Sequence, residues 1–239
     1  MVRAVCFDLW NTLIFEGPGG LVEPRLREWR EALRHVGHEV THAALALAHD
    51  EMFAAFQAAW AANVQFVSAD AARAVCEPLG LASDPDAVAA VEARFDPAGR
   101  SSEIAAVAGA VNCLGRLRAK GVATAVICDV GLVPSTALRW HLARLGIAEL
   151  IDHFEFSDDA GIYKPDPRTF EAALHALGDP PPSEAVHVGD RVRTDICGAL
   201  GAGLRAVRFS GVFDDPDAVR GPSHEVVAHL DELPPLLGL

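Results

Sequence analysis

Lysine is scarce in this sequence. Lys120 and Lys164 are the only two, and arginine supplies the rest of a basic set of 20 that faces 33 acidic residues. The formal charge of −13 excludes a surface for nucleic acid or another polyanion, which requires Lys and Arg gathered on one face. Long uncharged apolar runs are missing too. The most apolar helical stretch, 43–64, carries His49, Asp50 and Glu51, which are costly in lipid, so no membrane contact is expected. The opening MVRAVCFDLW runs straight into strand-like sequence with no leader pattern, and a cytoplasmic protein is expected. Cysteine pairs are lacking. Cys6, Cys76, Cys113, Cys128 and Cys197 are scattered, odd in number and free of any C-x-x-C, which argues for reduced thiols rather than a disulfide framework or a zinc site. His35, His38, His42 and His49 have no metal-ligand spacing and are expected on solvated faces. No internal repeat is visible.

What is present is a chain of 239 residues, 51% of them apolar, enough for a sizeable core. Residues 2–8 form an apolar run ending in an acidic residue, as a buried parallel strand does. A helical stretch follows. Residues 24–37 set Leu26, Trp29, Leu33 and Val36 on one face; 41–64 set Met52, Phe56 and Trp60 four apart; 69–79 close at Gly80; Asp84-Pro85 caps a fourth helix bearing Val88, Val91 and Phe95. Four helices with no intervening strand predict a small helical insert. The aromatics Trp29, Phe53, Phe56 and Trp60 read mainly as its core. A polar segment at 97–102 leads out, and the glycine-bearing loop 14–21 reads as a hinge leading in.

Beyond it strands and helices alternate. A helix carries Ile104, Val107, Val111, Leu114 and Leu117. Strands at 122–128, 153–156, 185–188 and 205–209 are separated by helices at 135–145, 167–177 and 194–202. This pattern predicts an α/β fold: a Rossmann-like parallel sheet with helices on both faces, residues 1–14 and 103–239, interrupted by an all-helical domain at 15–102. Ligands of such sheets bind beyond the carboxyl ends of the strands. Asp8, Asp129, Asp158 or Asp159, and Asp190 each follow a strand, and Lys164 precedes a helix. Carboxylates gathered there repel unless a cation joins them, and Mg²⁺ suits a site of few carboxylates with room for a phosphate. Taken singly, an acidic residue after a strand is otherwise a helix cap, Thr194-Asp195 a cap with favourable dipole charge, Asp214–Asp217 a surface turn and Lys164 a solvated turn residue.

FDLWNTL at 7–13, YKPDP at 163–167 and GDRVRTD at 189–195 occur in order, and together the chain resembles the haloacid dehalogenase superfamily, with the helical insert where that superfamily places its C1 cap. The resemblance implies that Asp8 is a nucleophile forming an aspartyl ester. It implies that Thr12 orients Asp8 and supports bound oxygens, and that Lys164 neutralises nucleophile and phosphoryl group. For the metal, it implies Mg²⁺ held by Asp8, Asp190 and the backbone carbonyl of Trp10, with Asp195 as a partner reaching it directly or through water. The implied substrate is a small phosphate ester.

Two positions depart from that pattern. Superfamily phosphatases carry an acid/base Asp two residues after the nucleophile; here Trp10 stands there, and an indole transfers no protons at neutral pH. The superfamily's 2-haloacid dehalogenases have an aromatic at that position. The strand 122–128 generally ends in Ser or Thr, which grips the phosphate; here it is Cys128-Asp129, a weak thiol donor beside a carboxylate. One lost carboxylate and one gained nominate Asp129 as the substitute acid/base; a loop cap is its other reading. Three functions follow: a Mg²⁺-dependent phosphatase, favoured by the Asp190/Asp195 pair that metal-free dehalogenases lack; a dehalogenase-like C–X hydrolase; or a catalytically impaired phosphate-binding protein, monomer or homodimer.

Overall fold

The computed structural model describes every residue except 220 and 223. The chain begins with β1 (Ala4–Phe7), all four residues buried, and continues through a tight turn into β2 (Ile14–Glu16). Five helices follow: α1 (Val22–His35), α2 (His42–Ala61), α3 (Ser68–Cys76), α4 (Pro85–Glu92) and α5 (Phe95–Ser101). Next come β3 (Ile104–Ala106), α6 (Ala110–Ala119), β4 (Ala123–Cys128), α7 (Ser135–Arg144) and β5 (His153–Phe156). The chain ends with α8 (Ser157–Ala160), α9 (Pro167–Ala176), β6 (Ala185–Gly189), α10 (Cys197–Gly201), β7 (Arg205–Phe209), β8 (Glu225–Val227) and α11 (Leu233–Leu236).

Six strands form one parallel sheet in the order β5-β4-β1-β6-β7-β8. The chain reverses its direction of travel across the sheet on either side of β1, and that is where the crevice of an open α/β sheet lies. Register is set by burial: a slip of one residue would turn Ala4 and Cys6 away from Ala125, Ile127, Phe170, Ala173 and Ile196, with which they form one apolar cluster. This is the predicted Rossmann-like sheet.

The chain divides into two compact units, 1–15 with 104–129 and 142–239, and 16–103 with 130–141. The second unit is helical and has its own core, built from Trp29, Leu33, Leu45, Met52, Val75, Val91 and Phe95 and joined by Leu132. Asp84 caps α4 as expected, its side chain accepting from the N–H groups of Asp86 and Ala87.

Several expectations are corrected. The insert has five helices, because 95–101 is helical rather than a polar exit. Phe95, Ala98 and Gly99 bury one face of α5 while Arg100 and Asp96 pair at 2.6 Å on the other, and small residues disguised that face. The segment at 104 is a strand; Gly109, with φ 84°, starts the helix only at Ala110, so the helical spacing of Ile104 and Val107 is coincidental. Part of the expected hinge, 14–16, is strand β2. Residues 192–196 form a widened, π-type turn before α10 rather than regular helix. His49 is buried, not solvated, and Asp215 is buried with its carboxylate accepting from the Val192 N–H at 2.8 Å rather than lying on a surface turn. Among the described residues no helix is long and apolar enough to cross a membrane.

Candidate active site

Asp8 is the first residue beyond β1, and its N–H still reaches across to the Val188 carbonyl at 2.8 Å, so the backbone is fixed in sheet geometry where the side chain departs. The chain then turns back on itself: the N–H groups of Leu13 and Ile14 both donate to the Leu9 carbonyl, and Asn11 takes φ 58°. Asn is among the few residues that adopt this left-handed conformation at low cost. The turn brings the buried Thr12 hydroxyl to donate to Asp8 Oδ2 at 3.4 Å, and Asn11 Nδ2 to donate to Asp190 Oδ2 at 3.4 Å. Trp10 lies half-buried within the same turn.

Lys164 arrives from the loop before α9 and is 1% exposed, so the solvated-turn alternative does not hold. Its own N–H donates to Asp129 Oδ1 at 2.8 Å, which ties that loop to the end of β4. Its Nζ donates to Asp8 Oδ1 and Asp195 Oδ1, both at 2.6 Å. Asp195 is oriented from two further directions: His187 Nε2 donates to Oδ1 at 3.0 Å, and the Arg191 N–H donates to Oδ2 at 3.0 Å. A Cβ on Gly189 would lie 2.3 Å from Asp195 Cγ. Only glycine lets the carboxylate approach the backbone so closely.

Asp8, Asp190 and Asp195 are all buried, and each offers a carboxylate oxygen within 4.8 Å of the other two. Lys164 contacts Asp8 and Asp195, while Asp190 has the half-buried Arg191 guanidinium at 3.6 Å, and burial is the largest influence on the titration of all three carboxylates. Burial, with the charge of Asp195, pushes Asp190 up to about 7. Burial raises Asp8 well above the ordinary carboxylate range, assisted by Asp195 and Asp190 and opposed by Lys164. Burial also acts to raise Asp195, but Lys164 and the His187 hydrogen bond overcome it and hold the group far below the usual range. Lys164 is desolvated yet raised by Asp195 and Asp8. The tightest internal ion pair is therefore Lys164–Asp195; Asp8 shares that ammonium and Asp190 has only the half-buried Arg191 guanidinium at 3.6 Å, so these two are the under-neutralised carboxylates. Such a set of hard, under-neutralised oxygens fits a small divalent cation.

Burial depresses His187, so its ring is neutral; Nε2–H donates to Asp195 and the buried Nδ1 lone pair has no partner among the described residues. Neither His187 nor Asn11 was singled out from the sequence. A polar residue inside the buried strand β6, and an Asn in a turn two residues before an apolar pair, were the available signals. Cys128 is 2% exposed, and burial, with Asp8 next in effect, raises its thiol well above its ordinary value. Asp129 is half-buried beside it. Asp158 and Asp159, on α8, stand outside the three-carboxylate cluster.

A parallel sheet with acidic residues and one lysine converging at its central strand ends defines a class of hydrolase. The chain matches the family model of haloacid dehalogenase-like hydrolases over residues 2–203 and belongs to that family. It is similar to the glyceraldehyde 3-phosphate phosphatase of Pyrococcus furiosus, 36% identical over 43% of this chain and 41% of that protein. It is also similar to (S)-2-haloacid dehalogenase 1 of Pseudomonas sp. strain CBS-3, 33% identical over 56% of this chain and 57% of the other. The chain thus spans about half the length, or less, of these curated relatives. Among solved structures, the 2-haloacid dehalogenase of Pseudomonas syringae pv. Tomato DC3000 superposes with a TM-score of 0.71 at 25% identity, covering 100% of this chain and 99% of that one.

Proposed function

We propose that the protein is a Mg²⁺-dependent phosphatase of small phosphate esters that works through an aspartyl-phosphate at Asp8. The observation that carries this reading is the cluster of three buried carboxylates, served by Lys164 and the half-buried Arg191, in which Asp8 and Asp190 are held above the ordinary carboxylate range, an arrangement that a dication would relieve before Asp8 acts as an anion. Dehalogenation at carbon has no comparable need. Asp8, Asp190 and the Trp10 carbonyl would hold Mg²⁺, with Asp195 beside them; when bound, the ion offsets charge on the transferred phosphoryl oxygens.

The chain's own groups have separable tasks. Lys164 Nζ, already 2.6 Å from Asp8 Oδ1, holds the nucleophile in line and neutralises an incoming anion. Thr12 donates to the other Asp8 oxygen and orients the carboxylate. Cys128 stays a thiol and offers only a weak donor where Ser or Thr would be stronger. Asp129 is the carboxylate at a neighbouring strand end that takes over proton transfer from the position occupied by Trp10. The helical unit is inserted between β2 and β3, the place of the superfamily's C1 cap, and substrate selection is the role proposed for it.

Trp10 and the likeness to 2-haloacid dehalogenases favour a second reading, hydrolysis of a carbon–halogen bond by the same Asp8. Beryllofluoride trapping with Mg²⁺, a screen of phosphate esters and a halide-release assay on 2-haloacids separate the readings. Phosphatase action gives a beryllofluoride adduct that is lost in Asp8→Asn, together with metal-dependent ester turnover. Halide release without added metal would overturn it in favour of the second reading. An adduct with no turnover of either substrate class indicates a phosphate-binding protein.

A further inference from the structure

The helical unit contains a buried cation with no carboxylate in contact with it. Arg25, on α1, is 4% exposed and stands among the apolar residues Leu26, Trp29 and Leu33. Its guanidinium has one hydrogen-bonding partner, His49 Nε2 at 3.5 Å, and no carboxylate among the described residues lies within 4.0 Å of it. Glu16 acts on it only from a distance, and one oxygen of that carboxylate already accepts from the Leu21 N–H at 3.1 Å. Burial pushes Arg25 down to about 10, so the charge persists at neutral pH.

His49 does not relieve the charge. A guanidinium only donates, so Nε2 must be the lone pair and the ring proton sits on Nδ1, 3.5 Å from Asp50 Oδ1. Burial and the charge of Arg25 lower the His49 pKa, which keeps the ring neutral. The guanidinium thus meets one neutral acceptor at the outer limit of hydrogen bonding, and its remaining nitrogens, none of them fully enclosed, reach solvent. One helical turn further, Trp29 Nε1 is buried and has no acceptor either. The Trp29 and His49 rings are 6.0 Å apart, and His49 stacks on Phe53, which is 40% exposed, so the row of rings runs from the buried donors to solvent.

Buried arginines are paired as a rule, because an isolated charge in an apolar interior is expensive. A guanidinium with no carboxylate in contact, one helical turn from a second donor that has no acceptor, is chemistry that favours an anion. We propose that the helical unit carries an oxyanion-binding site built on Arg25, with Trp29 Nε1 as a supporting donor, that takes a carboxylate or phosphate group. The planar fork of arginine fits either group through two parallel hydrogen bonds. The oxyanion is a free carboxylate or phosphate ion, and the proposal does not rest on the phosphatase reading.

The test begins on the metal-free protein in EDTA, where the three-carboxylate cluster repels anions. Malonate and inorganic phosphate are titrated by calorimetry into the wild type, Arg25→Met, Arg25→Lys and Trp29→Phe. The wild type should bind, Arg25→Met should lose at least tenfold in affinity, and the other two should fall between. Arg25→Met without anion should melt no lower than the wild type, since it removes an unpaired buried charge; a purely structural arginine would lower the melting temperature in both Arg25 variants. No saturable binding to the wild type, equal binding to Arg25→Met, or a lowered melting temperature in both variants without loss of binding in the folded fraction overturns the site.

Discussion

Asp129 illustrates how one side chain can hold two tasks that mutagenesis separates. Its Oδ1 accepts the Lys164 N–H at 2.8 Å, which positions the loop carrying the ammonium. Asparagine keeps an acceptor there but cannot exchange protons. Under the proposed mechanism Asp129→Asn should lower steady-state turnover by about 10²–10⁴-fold, the usual contribution of an acid/base group. Asp8 should still take up phosphoryl, seen as an acid-stable labelled band. Unchanged turnover would restrict Asp129 to holding the loop. At this scale the sequence was informative where a motif fixes spacing: Asp8, Lys164, Asp190 and Asp195 do converge. Asn11 and His187 could not be read in advance. Their importance lies in partners 179 and 8 residues away, and no local pattern marks which polar residue a carboxylate will find.

Elements were legible in proportion to their length and apolar content. Strands β4 and β6 stand out as largely apolar runs and β5 and β7 as short mixed segments with apolar ends, and the predicted 153–156 and 205–209 coincide with His153–Phe156 and Arg205–Phe209. β2, β3 and β8, three residues each, are too short to display an alternation. The turn after β6 shows what short elements can carry. Gly189 ends the strand, and the widened turn 192–196 swings Asp195 back over it. Gly189→Ala would set a methyl group into the Asp195 carboxylate, which is pinned by Lys164, His187 and the Arg191 N–H and has little freedom to retreat. We expect a stability loss of about 1–3 kcal/mol, as for other overpacked sites, with weakened Mg²⁺ binding; thermal denaturation and a metal titration check both.

For the molecule as a whole, acidity and metal should be linked. Asp190, pushed up to about 7 from 3.8, and Asp8, also raised, bind protons more tightly when folded. The stability they contribute is complete below the ordinary carboxylate value and declines as pH rises toward and through 7. Asp195, held low, contributes stability that is lost only in strong acid, and the depressed His187 and His49 lose theirs below the ordinary 6.5. Between pH 6.5 and 8 the metal-free melting temperature should therefore fall. The rise produced by saturating Mg²⁺ should grow over the same interval, because the ion competes with the proton on Asp190. A Mg²⁺-induced shift that is flat from pH 6 to 8 would count against Asp190 as a ligand.

The ribbon of β2 and β3 carries a consequence for engineering. The Gly17 N–H reaches the Glu103 carbonyl at 2.8 Å and the Val107 N–H reaches the Leu13 carbonyl at 2.9 Å, so the two strands run antiparallel and the excursion departs and returns through neighbouring doors. Topologically, everything between is the tip of a hairpin. An Asn-Gly turn in place of 18–102 would join the same two strands, and the helices of a relative could be grafted at the same seam with every carboxylate of the cluster left where it is.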